Sequence, residues 1–246
     1  MFRLPRPLTI PTVFLVRRVV SRSTCVARSM TDDSAAPTAA QDVKKSKIYT
    51  RTGDRGTSGL FNGTRASKDN MFFEALGTTD EVNAVLGVAR EYLQSPISSL
   101  PTSAVLATLD EQLSVIQSRL LDLGSAIATP IPTSDSDLLK RVQFPHAHVA
   151  DIESWIDVWD SQLPPLTNFI LPSGGLASAH LHHGRTVCRR AERSVVQLVR
   201  EDQIPAVVQI YLNRLSDYLF VVARIAAKEH GRPEHVYKKQ IADTSQ

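Results

Sequence analysis

At 246 residues, with 42% of them hydrophobic, the chain is long enough to bury one sizeable core. Its apolar runs fall short of the roughly 20 residues that a membrane-spanning helix requires, so a soluble protein is expected. Two cysteines, Cys25 and Cys188, exclude a disulfide framework and suit a reducing compartment.

The formal net charge of +3 is unevenly spread. Six arginines (Arg3, Arg6, Arg17, Arg18, Arg22 and Arg28) precede the first acidic residue, Asp32, and no lysine accompanies them. Arginine-rich, serine-containing and acid-free, residues 1–30 read as a transit peptide for the mitochondrial matrix. A secretory signal would need a longer apolar centre than IPTVFLV. Removal of those arginines leaves 22 basic residues against 25 acidic ones, a net charge of −3. That balance argues against general nucleic-acid binding, which needs a broad positive excess. Any anion must then be held by cations gathered locally.

Residues 31–47 are small and polar and read as a flexible linker. An ordered domain is expected over residues 48–238, with a tail over 239–246. Its first stretch, TRTGDRGTSGLFNGTR, carries four glycines and no apolar period. It reads as a structured loop or a pair of very short strands. Met71 to Tyr92 then shows a helical face of Phe72, Ala75, Leu76, Val82, Val85, Leu86 and Ala89. Thr108 to Ala128 shows another, on Leu109, Leu113, Ile116, Leu120 and Leu123. ATPIPTSDSD breaks the pattern with two prolines and reads as a loop. A third helix spans Ala147 to Gln162 and stops at Pro164-Pro165, and PLTNFILPSGG reads as an irregular connector. The fourth runs from Ala177 to Glu201 and the fifth from Ile204 to Glu229, ended by Gly231 and Pro233. Five helices with short connections predict an all-α five-helix bundle.

The fourth helix contains RTVCRRAERS, with four arginines and one glutamate in ten residues. On a helical wheel with Arg185 at zero, Arg189 falls at about 40°, Arg193 at about 80° and Glu192 at about −20°. Arg190 falls elsewhere, at about 140°. Leu181, Cys188, Ala191, Val195, Leu198 and Val199 form the apolar arc. The stripe reads either as a solvated face or as a holder of a polyanion. One glutamate cannot compensate three guanidinium groups, and planar forks suit phosphate oxygens, which favours the polyanion. Glu192 would orient its neighbours.

In the fifth helix Asn213, Asp217, Phe220 and Arg224 share one face, either as a satisfied core network or as part of a site. RTGDRGTSGLFNG lacks the Walker A pattern but has glycines and hydroxyls that suit a phosphate cradle, with Lys68 following. His180, His182 and His183 spread around the wheel and share no coordinating face, so they read as packing or surface residues. His146 and His148 flank a helix start. Cys188 reads as a buried, inert thiol.

Six segments occurring in order, YTRTGDRGTSGLFNG, SKDN, LGTTDEVNAVLG, FILPSGG, LHHGRTVCRRAER and YLNRLSDYLFVVAR, resemble the PduO-type ATP:cob(I)alamin adenosyltransferases over about residues 48–240. The resemblance implies a five-helix bundle with an N-terminal glycine-rich ATP loop, assembled as a homotrimer with active sites between subunits. It implies an ATP site of Thr50, Arg51, Thr52, Gly53, Ser58, Gly59, Lys68, Arg189, Arg190, Glu192, Arg193 and Asn213. Asp80 and Arg185 would form a cross-subunit ion pair on the corrinoid side, and Phe169 would sit under the corrin ring. Gly184, Asn70 and the extra serine of LPSGG depart from the common family pattern.

The implied reaction is attack of cob(I)alamin on C5′ of ATP with loss of triphosphate, Mg²⁺ bridging the phosphates. Arg189, Phe169, Asp80 and Arg185 would carry it. A reductase and a cobalamin-dependent mutase are the implied partners. A non-catalytic carrier of ATP or cobalamin uses the same residues and stays open at this level. So does a structural oligomer held by the arginine stripe.

Overall fold

The computed structural model describes residues 49, 51–94 and 103–239. The arginine-rich leader, the linker, Cys25 and Thr50 lie outside the described residues. The elements in chain order are β1 (Thr57–Gly59), β2 (Arg65–Ser67), α1 (Met71–Gln94), α2 (Ala104–Ile127), a 3₁₀ turn (Ile131–Thr133), α3 (Ser136–Arg141), α4 (Ala147–Asp160), β3 (Ile170–Leu171), α5 (Leu176–Arg200), α6 (Ala206–Glu229) and β4 (His235–Val236).

The five expected helices are present as α1, α2, α4, α5 and α6. Helix α2 begins four residues earlier than its apolar period suggested. Ser103 caps it by accepting the Leu106 N–H at 3.2 Å, and Leu106 is already buried. Helix α3 occupies residues expected to loop. Asp135 caps it through the Leu138 N–H at 2.8 Å, and six residues are too few to show a period. The glycine-rich stretch is an antiparallel hairpin in which Ser58 faces Ala66. A second two-stranded pair, β3 with β4, escaped the sequence because two residues cannot display alternation.

Helix α6 is the hub. Its buried residues run through Tyr211, Leu215, Tyr218, Leu219, Val222 and Ile225 on every side, the mark of a helix surrounded by others. Helices α5, α4 and α2 pack around it, α1 packs on α5, and α2 closes against α1. Gly184 lies where α1, α5 and α6 meet. A β-carbon there would stand 3.3 Å from Leu86 Cδ2 and 3.8 Å from Leu219 Cδ1. Close packing therefore offsets the roughly 1 kcal/mol that glycine costs inside a helix. Cys188 is fully buried and donates its thiol to the Leu212 carbonyl at 3.2 Å, with burial pushing its pKa up.

Some polar side chains inside this core share a partner. Gln112 Oε1 accepts from both Trp159 Nε1 and Tyr218 Oη, each at 2.8 Å, joining α2, α4 and α6 through one carbonyl. His182 is 4% exposed and packs edge-on against Phe220, ring centroids 5.9 Å apart. Burial, and secondarily Arg185, push its pKa down to about 4. His180 stacks on Tyr92 and His183 is exposed, so the three histidines do not converge.

Replacing Gln112 with leucine strips two buried donors of their acceptor and is expected to lower stability by about 2–4 kcal/mol in urea denaturation. A loss below about 1 kcal/mol would show that neither donor depends on it. For His182 the unfolded chain takes up a proton below about pH 6.5, whereas the folded protein does so only at about 4. Stability is therefore lost as pH falls through that window, by about 2 kcal/mol between pH 7 and pH 5. His182→Gln should lose less over the same interval by about that amount, and parallel pH profiles of the two proteins would contradict the assignment.

Candidate functional site

Helix α5 presents its guanidinium groups as the wheel arranged them. Arg189 and Arg193 are exposed, Arg185 is half-buried, and Arg193 Nη1 donates to the Arg189 carbonyl at 3.1 Å. Among the described residues none of these three meets a carboxylate within ion-pair distance, whereas Arg190, off the stripe, pairs with Glu81 of α1. Burial, and then the neighbouring Arg189, hold the Arg185 pKa below its usual value. Its Nε is buried without a partner among the described residues. A desolvated cation with an open donor attracts an anion from outside its own helix.

Glu192 is held in place by Asn213 Nδ2 of α6, which donates to its Oε1 at 2.9 Å. The polar face of α6 does not act as one network, however. Asp217 takes up Arg214 at 3.4 Å, Phe220 packs on His182, and the buried Arg224 turns to Glu234 at 2.9 Å. Only its Asn213 end serves the arginine stripe.

The glycine-rich hairpin owes its shape to Arg65, which sequence reasoning did not single out. The Arg65 guanidinium donates to the Thr52 carbonyl at 2.8 Å, the Thr57 carbonyl at 3.1 Å and the Thr57 hydroxyl at 2.9 Å. Gly56, at φ 75°, closes the turn onto the Gly53 carbonyl, a geometry that favours glycine. Gly53 leaves room for Lys68: a β-carbon there would stand 3.2 Å from Lys68 Nζ. Arg51 adopts φ 60° and lies over the Tyr49 ring at 5.4 Å. Ser58 and Gly59 are in β1. Asn70 caps α1 by accepting the Phe72 N–H at 3.1 Å, a role in which Asn and Asp are interchangeable.

Phe169 is 82% exposed at the tip of the connector before α5. Its carbonyl accepts the Tyr237 N–H at 2.8 Å. With Leu166, Thr167, Asn168 and Tyr237 it lines a cavity of about 350 Å³. The connector ends on Gly174 and Gly175, both at positive φ. A β-carbon on Gly174 would come within 2.5 Å of Ala227 Cβ, so only glycine fits.

One chain does not bring these parts together. Helices α1 and α5 are antiparallel, with Thr78 meeting Ser194 at 3.0 Å and Tyr92 stacking on His180. The glycine hairpin runs into α1, so it joins the bundle at the Arg193 end of α5. Phe169 precedes α5 at its other end. Along a helix of 25 residues the two ends lie about 37 Å apart. Asp80 points away from α5 as well, lining a groove of about 370 Å³ between α1 and α2 with Gly77, Asn83 and Leu121.

The sequence matches the Cobalamin adenosyltransferase family over residues 48–226. The corrinoid adenosyltransferase MMAB of Bos taurus is 48% identical over 196 residues, covering 80% of this chain and 78% of the relative. Among solved structures, a phenylalanine-to-alanine variant of the PduO-type ATP:corrinoid adenosyltransferase of Lactobacillus reuteri, complexed with cobalamin and ATP, superposes with TM-score 0.67 at 35% identity. The likeness covers 78% of this chain and all of that one. An arginine-to-lysine variant of the same enzyme, complexed with ATP, superposes with TM-score 0.66 at 35% identity, covering 78% of this chain and 100% of the other. With the family match over residues 48–226, the identity to its relatives and the shared helical fold, this chain belongs to the cobalamin adenosyltransferase family.

Proposed function

We propose that this protein transfers the 5′-deoxyadenosyl group of ATP to cob(I)alamin, giving adenosylcobalamin and free triphosphate. The observation that carries the reading is the row Arg185, Arg189 and Arg193, three guanidinium groups along one face of α5 that meet no carboxylate among the described residues, while Arg190, off that face, pairs with Glu81. Such a row is built to receive a polyanion. The two L. reuteri variants add support, since their replaced phenylalanine and arginine stand at the same separation as Phe169 and Arg189 do here.

In the reaction a cobalt-centred electron pair forms the bond to C5′, the C5′–O5′ bond breaks, and the electron pair leaves with triphosphate. Cob(I)alamin is itself a strong nucleophile, so the protein's task is to align two large substrates and to stabilise charge on the leaving group. Arg189 and Arg193 bind the triphosphate oxygens, and Glu192, fixed by Asn213, keeps the row in register. Thr50, Arg51, Thr52, Gly53, Ser58, Gly59 and Lys68 of the glycine-rich segment cradle the nucleotide through backbone N–H groups and the Lys68 ammonium. Arg190 contributes if ATP draws it from Glu81. Among the described residues no cluster of His, Cys, Asp and Glu could cage a metal. Mg²⁺ would be held by the triphosphate oxygens, where it would neutralise their charge.

Phe169 meets the lower face of the corrin and excludes the lower axial ligand, which makes the cobalt easier to reduce. Its exposure suits that task better than a place in the core. Because hairpin and Phe169 lie at opposite ends of α5, a complete site is assembled between subunits of a homotrimer. There Asp80 of one subunit meets Arg185 of the next and supplies the anion that Arg185 lacks. The arginine-rich, acid-free leader directs the chain to the mitochondrial matrix, where a reductase supplies cob(I)alamin and a cobalamin-dependent mutase receives the product.

Removing the Arg189 guanidinium takes away a contact that strengthens as triphosphate departs, so Arg189→Ala should lower kcat by about a hundredfold or more at saturating ATP. A near-normal kcat would sink the assignment. Arg185→Ala and Asp80→Ala should each impair turnover, while the double variant loses less than the sum, with a coupling of about 1–3 kcal/mol. Additive losses would place the two residues apart.

A further inference from the structure

We propose that the Arg224–Glu234 ion pair is a positioning clamp for Phe169, holding its connector through the C-terminal strand. The inference rests on the reading of Phe169 as the residue that meets the corrinoid. Phe169 is 82% exposed, so core packing does not place its ring; the backbone of residues 164–175 must. The β3–β4 pairing that steadies this backbone is two residues long on each strand, too short to be stable by itself. Something outside the pair has to hold it.

Arg224 is 5% exposed and lies in the fully packed stretch of α6 between Ala223 and Ile225. Its Nε donates to Glu234 Oε1 at 2.9 Å and its Nη2 to the Pro164 carbonyl at 3.1 Å. One guanidinium thus grips the start of the Phe169 connector and the residue immediately before β4. One turn on, Lys228 Nζ donates to the Gln162 carbonyl at 2.9 Å. Beyond Glu234 the strand is fastened twice more. His235 N–H donates to Ser173 Oγ at 3.0 Å, and that hydroxyl donates to the Leu171 carbonyl at 2.8 Å. Tyr237 N–H then donates to the Phe169 carbonyl itself. Ser173, the residue that sets LPSGG apart from the shorter family pattern, is therefore the second pin of the clamp.

A buried guanidinium stays in place only with its counter-charge, so loss of the Glu234 carboxylate frees both segments together. A loosened Phe169 no longer excludes an axial ligand during reduction. It matters far less once the cobalt is already reduced and ATP is bound.

The test is made on the full-length protein with Glu234→Ala, Glu234→Gln and Ser173→Ala, alongside Phe169→Ala. Amide hydrogen exchange, thermal melting and two assays are read, one starting from cob(II)alamin with a reductant and one from pre-formed cob(I)alamin. For Glu234→Ala we expect exchange in residues 169–171 and 235–237 to rise by about tenfold or more, with α1, α5 and α6 still protected. The cob(II)alamin rate should fall about tenfold while the cob(I)alamin rate stays within about threefold. Glu234→Gln, which keeps an acceptor, should recover part of both effects, and Ser173→Ala should show a weaker version with the buried pair intact. Unchanged exchange in Glu234→Ala and Ser173→Ala overturns the clamp. So does raised exchange with both rates unchanged, or with both reduced equally, while Phe169→Ala still separates the two assays. Equal losses in the Phe169→Ala assays overturn instead the reading of Phe169 on which the clamp rests.

Discussion

Everything about this protein depends on α5 being divided lengthwise. One side packs Leu181, Cys188, Ala191, Val195 and Leu198 onto α6 and α1, all fully buried. The other carries guanidinium groups a helical turn apart. Repulsion between like charges at that spacing costs only about 0.2–0.5 kcal/mol per pair, whereas each fully buried Leu or Val contributes about 1.5–3 kcal/mol. Burial wins by a wide margin, so the helix can hold charge in excess without coming apart. The excess is then available to whatever anion docks there.

The same helix keeps the residues singled out from the sequence apart from one another. Helix α5 separates the glycine hairpin from the Phe169 connector by its own length, and Asp80 faces the α1–α2 groove instead of α5. Arg185 is partly desolvated, and its Nε meets no partner among the described residues.

The long helices were legible because each shows an apolar period over many turns, and the arginine row was legible because a helical wheel is enough to align Arg185, Arg189 and Arg193. The short elements were not. Helix α3 and strands β3 and β4 are too brief to show a period, and they exist because of a cap at Asp135 and of pairing between segments more than sixty residues apart. Arg65 was passed over for a similar reason. Its partners, Thr52 and Thr57, become neighbours only when the hairpin closes. The face of α6 shared by Asn213, Asp217, Phe220 and Arg224 was correctly seen as one face, yet its members serve different partners.

By itself the sequence determined the helical class, the order of the five long helices, the cationic row and, through its motifs, the family. These are properties of local period and residue type, which a chain carries wherever it goes. Only the tertiary structure decided that Arg190 spends its charge on Glu81, that Asn213 fixes Glu192, and that Arg224 ties α6 to Glu234 immediately before the C-terminal strand. Those outcomes depend on which helix faces lie against each other, and distance along the chain does not encode that.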